Sequence, residues 1–180
     1  MKNLLILIFA VIVPAFATGA HAADKKGPLS DAQIVAALIA ANEVAIDAAK
    51  LAESKTMNDQ VKAYAQRMVR EHTDLNKQTK DLAGKLDVKP EESKISKSMK
   101  SDGQRVHDRL QKLSGRKFDK AYLYDELAFH KQVLQVVDNQ LMPSASSREL
   151  QDLLAKIRPA LASHLEYADQ THTYVDQMRY

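Results

Sequence analysis

The chain has no cysteine. Disulfides and thiolate metal sites are therefore excluded, and so is lipid attachment through a lipobox cysteine. Glycine and proline number only five each in 180 residues, and they fall near the edges of apolar-periodic segments. No Gly-x-Ser-x-Gly elbow and no His-Glu-x-x-His pair occurs, so the common signatures of hydrolysis are missing. Charge of one sign is lacking as well. Twenty-six basic residues face 23 acidic ones, a net of +3, which does not mark a nucleic-acid binder. There is no strand-like alternation, no repeat of solenoid period and no low-complexity tract.

The one long apolar run is Leu4 to Ala17, broken by Pro14. It is shorter than the roughly 20 residues a membrane-spanning helix needs. Lys2 precedes it and the small-x-small site Ala20-His21-Ala22 follows it. That is the pattern of a cleaved signal peptide over 1–22, with a mature chain from Ala23 that is periplasmic or secreted. Loss of Lys2 lowers the net charge from +3 to +2. Residues 23–29 read as a short polar lead and 30–180 as one domain. Alanine, leucine, lysine and glutamine are frequent, as in a helical bundle.

The rest of the chain reads as five antiparallel helices, an all-α up-and-down bundle. Ser30-Asp31-Ala32-Gln33 is a capping box that opens the first helix. Thr56-Met57-Asn58-Asp59 reads as a second one, opening a helix over about 58–86 that closes before Pro90. The third helix runs from Glu91 to Ser114-Gly115, where glycine suits a C-cap. Its outer face is basic: Lys94, Lys97, Lys100, Arg105, Arg109 and Lys112, then Arg116 and Lys117. Such a face could attract anionic lipid, lipopolysaccharide or cell-wall polymer. The fourth helix runs from Phe118 to about Met142. The fifth starts near Ser146, and Pro159 is expected to kink it.

The stretch Phe118 to His130 carries the chemistry. Its apolar face includes Phe118, Tyr122, Leu123, Leu127 and Phe129, yet Asp119, Glu126 and His130 fall within that face. Charged groups among apolar neighbours must be paired, neutralised or bound. With a rise of about 1.5 Å per residue, Glu43, His72, Asp102, Glu126, His130 and His164 share a layer about 9 Å thick. Asp119, His107 and His172 fall outside it. His72 sits centrally in its stripe; Glu43 falls opposite the main stripe of the first helix. The layer supports three readings: a satisfied polar network fixing helix register, a transition-metal site, or a pocket for a small organic ligand or haem.

Several words of the sequence resemble one family. They are Asn42-Glu43-Val44, Val61-x-x-Tyr64-Ala65-x-x-Met68-Val69-x-x-His72, Leu113-Ser114-Gly115-x-x-Phe118-Asp119-x-x-Tyr122, His130, and Pro159-x-Leu161-x-x-His164-Leu165. The family is the exported bacterial domain of unknown function 4142, and the likeness covers nearly all of the mature chain. It implies a ferritin-like four-helix core with an additional helix, and it strengthens Glu43 as a member of the layer. Ferritin-like di-iron sites use Glu-x-x-His on two helices. Here Val69, Leu127 and Leu161 stand three residues before the histidines, so a ferroxidase centre is not expected. The candidate metal ligands are His72, His130, His164, Glu43 and Glu126, for a transition metal ion. The expected function is a binding or stress-protective envelope protein, with a metal-dependent oxidoreductase as the alternative.

Overall fold

The computed structural model describes residues 28–178. The signal peptide and most of the lead lie outside the described residues. Among the described residues, six α-helices appear in order: α1 Asp31–Lys55, α2 Asp59–Lys85, α3 Lys94–Gln111, α4 Gly115–Val136, the short α5 Met142–Ser144, and α6 Arg148–Gln177. No strand occurs among the described residues. The fold is an all-α helical bundle, as the composition and period imply.

Local chemistry explains most boundaries. Ser30 accepts from the Gln33 amide, and Gln33 returns a bond to Ser30, so the capping box forms. The start of α2 differs from expectation. Asn58, not Thr56, is the N-cap: its Oδ1 accepts from the amides of Gln60 and Val61. The Thr56 hydroxyl accepts from the Asn58 amide and shapes the turn instead. Asn caps as well as Thr, and Asn58 lies two residues closer to Val61. A Ser93–Ser96 capping box starts α3 later than Glu91.

The fourth helix does not stay regular to Met142. Val137–Leu141 forms a π-helical turn, with the Met142 amide bonded to the Val137 carbonyl. Pro143 follows and has no amide to continue the ladder; one short turn, α5, carries the chain on and closes with the Ala145 amide on the Leu141 carbonyl. Pro159, by contrast, lies inside an unbroken α6.

α1, α2, α4 and α6 form the core, and α3 packs on the outer side of α1. The alanines of α1 make this possible: Ala36, Ala37, Ala40, Ala41, Ala45 and Ala49 are all buried. The closest approach is at Gly103 of α3. A Cβ built there would lie 2.7 Å from both γ-carbons of Val44. Gly103→Ala is thus expected to lower stability by about 1–3 kcal/mol through overpacking, although Gly→Ala inside a helix usually stabilises. A urea-unfolding midpoint at or above the parent value would contradict this contact.

The basic face of α3 is locally paired. Lys97 and Lys100 reach Glu92 at 3.8 and 3.1 Å, Arg105 reaches Asp102 at 2.7 Å, and Arg109 pairs with Asp125. Among the described residues, no helix is long and apolar enough to cross a membrane.

The apolar interior divides in two. One cluster holds Leu75, Val133, Leu154 and Leu161; the other holds Met68, Leu123, Ala49 and Ala168. His72 lies between Met68 and Leu75, His130 between Leu123 and Val133, and His164 between Leu161 and Ala168. A polar layer therefore separates two greasy halves.

Candidate metal centre

Each core helix places a polar side chain in this layer. α1 gives Asn42, α2 gives His72, α4 gives His130 and α6 gives His164. The three histidines are fully or almost fully buried, with exposures of 1%, 0% and 0%. Their ring centroids lie 4.9, 5.3 and 5.5 Å apart. One nitrogen from each ring falls within 4.8 Å of the other two.

The neighbours fix the tautomers. Asn42 Nδ2 donates to the Leu38 carbonyl at 2.9 Å, which turns its Oδ1 toward His72. His72 Nδ1 meets that oxygen at 2.9 Å and must be the donor. His130 Nδ1 meets the Glu126 carbonyl oxygen at 2.9 Å and must donate too. A neutral imidazole has only one N–H. Both Nε2 atoms are therefore lone pairs, and they face each other at 3.3 Å. His164 follows the same logic in the other sense. Its Nε2 donates to Glu71 Oε2 at 2.6 Å, and its buried Nδ1 has no partner.

The electrostatics keep these rings neutral. Desolvation by burial, then the charges of His130 and His164, push His72 far below the ordinary imidazole range. Burial pushes His130 down to about 4. Burial lowers His164 as well, against the pull of Glu71. Burial would raise Glu71, but the hydrogen bonds from Arg67 and His164 outweigh it and hold the carboxyl low. Each imidazole thus has one N–H tied to an oxygen and one free lone pair, the arrangement that outer-shell partners impose on metal-binding histidines.

Of the five residues expected to ligate, the structure brings together the three histidines. Glu126 is buried beside them, with Oε2 at 3.7 Å from His130 Nδ1. That nitrogen is on the far side of the ring from His72, so Glu126 is not among the converging donors. Its Oε2 accepts from the Tyr64 hydroxyl at 2.9 Å, and burial pushes its pKa up to about 8. Glu43 is a correction. It does not enter the layer; its carboxylate pairs with Lys80 at 3.4 Å at the bundle surface. Its neighbour Asn42 takes the inward place, since Leu38, Asn42, Ala45 and Ala49 form the stripe facing α2 and α4. Asp102 also lies outside, bonded to Ser98 and Arg105. Asn42, Glu71 and Tyr64 are the site residues the sequence reading missed. The spacing of Asn42 within the alanine stripe was the available signal.

The model of the family described as "Domain of unknown function (DUF4142)" matches residues 16–171. The chain belongs to this family. No curated protein and no solved structure matches it. In this DUF4142 chain the histidine layer therefore has to be interpreted from its own chemistry.

Proposed function

We propose that this DUF4142 chain is a metal-binding helical bundle of the cell envelope, with His72 Nε2, His130 Nε2 and His164 Nδ1 as ligands of one first-row transition ion. One observation carries the proposal: the opposed lone pairs of His72 and His130 at 3.3 Å. A satisfied polar network would set a donor against an acceptor there. Two nitrogens on one tetrahedral zinc, each about 2.05 Å from it, lie about 3.3 Å apart. Imidazole donors suit zinc, copper, nickel or iron and do not suit magnesium or calcium. Three protein ligands leave a fourth position for water or a small molecule.

His164 needs a small inward shift, since the three nitrogens span up to 4.8 Å. Glu71, 38% exposed in its side chain, gives that ring a partner that can follow it. The donor set gives no support to the oxidoreductase alternative, because the carboxylate-rich pairs of a di-iron centre are replaced by Val69, Leu127 and Leu161. Export rests on Lys2, the apolar run and Ala20-His21-Ala22. On α3, Lys97, Lys100, Arg105 and Arg109 have acidic partners, which reduces the attraction of that face to anionic envelope polymer.

The test is elemental analysis of protein purified without a histidine tag from its native compartment. We expect about one equivalent of a single transition metal, retained through dialysis and lost in His72→Ala. An equal metal content in the parent and the variant would refute the site.

A further inference from the structure

A cavity lies between α1, α3 and α4, with a volume of about 130 Å³. Ala45, Ala48, Met99, Val106, Phe129 and Val133 give it apolar walls. Five residues with polar groups also line it: Tyr122, Glu126, Asp102, Asp125 and Gln132. The Tyr122 hydroxyl is fully buried and has no hydrogen-bond partner. Such an orphaned group in a native fold calls for a partner the chain itself does not supply. Glu126 uses one oxygen on Tyr64.

We propose that this cavity binds a neutral, single-ring organic molecule carrying one hydroxyl or carbonyl oxygen, with the ring against Ala48, Met99 and Phe129 and the oxygen on Tyr122 and Glu126. The size argues for one ring: an apolar protein cavity of about 150 Å³ holds benzene. The walls argue for neutrality. An anion would meet Asp102 and Asp125, which also line the cavity, and a cation would find both already paired with Arg105 and Arg109. Glu126 bonds Tyr64 through Oε2, which leaves Oε1 as an acceptor. The Tyr122 hydroxyl is both a donor and an acceptor. Apolar walls with a few convergent polar groups are the usual build of a small-molecule site.

This cavity does not need the metal, so metal-free protein tests it separately. Phenol and toluene serve as probes, followed by amide chemical shifts in full-length mature chain. Phenol is expected to saturate one site, with shifts at Ala45, Val106 and Phe129, and to bind more tightly than toluene. Tyr122→Phe should weaken phenol about 2–10-fold and leave toluene unchanged, the worth of one hydrogen bond. Ala48→Leu, which fills the space, should abolish both. No saturable phenol binding at millimolar concentration, or shifts confined to other parts of the bundle, would overturn the proposal. So would phenol affinity unchanged by Tyr122→Phe.

Discussion

Saturating zinc should raise the thermal unfolding midpoint of the metal-free protein by about 10 °C. A ligand that binds only the folded state, at 1,000 times its dissociation constant, stabilises by about 4 kcal/mol. For a chain of this size each kcal/mol moves the midpoint by about 2–4 °C. The source of that affinity is preorganisation. His72 is held by Asn42 at 2.9 Å and His130 by its own turn at 2.9 Å, so both lone pairs are aimed before any ion arrives. The ion also removes the repulsion between them. His130→Ala should therefore lose nearly the whole zinc shift. It should also lower the metal-free midpoint, because it opens a cavity in a fully buried layer. Differential scanning calorimetry with and without zinc reads both effects. A zinc shift of the same size in His130→Ala would place the ion elsewhere.

The metal-free protein should be most stable near pH 6.5 and weaken on both sides. His72 and His130 are neutral in the fold, with folded pKa values far below the unfolded value of about 6.5. As pH falls below 6.5 the unfolded chain takes up protons that the folded chain refuses. Stability then drops by about 1.4 kcal/mol per pH unit for each ring. Glu126 works in the other direction. Its folded pKa is about 8, so the folded chain holds a proton that the unfolded chain releases above its ordinary carboxylate value. Its contribution is present at low pH and is lost as pH rises toward 8. Between pH 6.5 and 4.5 two rings outweigh one carboxyl, and stability falls with acid. Between 6.5 and 8 Glu126 acts alone, and stability falls with base. Urea midpoints across pH 4.5–8.5 measure this, and Glu126→Gln should remove the alkaline decline. A parent midpoint that rises steadily up to pH 8 would contradict a buried neutral Glu126.

The helical architecture was legible because local rules and global packing agree. The Ser30 capping box, the apolar period and the short connections all point to one bundle. The histidines were legible for a similar reason: His72 and His130 sit within clean apolar stripes, and His164 flanks one. α1 was harder. It touches α2, α3 and α4, so its buried residues run nearly around the helix and the stripe loses its direction. That ambiguity put Glu43 in the layer where Asn42 belongs. Tautomers were out of reach as well. They depend on which oxygen faces which ring nitrogen, and residues as distant as Asn42 and His72, or Glu71 and His164, decide this. The π turn at Val137–Leu141 shows the same limit.

Cobalt(II) titration of the metal-free protein tests the convergence of the three rings most directly, because cobalt absorption reports coordination number. The expected result is an intense visible band of four-coordinate cobalt that stops growing at about one equivalent and is absent in His72→Ala. A weak spectrum of six-coordinate cobalt throughout the titration would show that His72, His130 and His164 do not close on one ion.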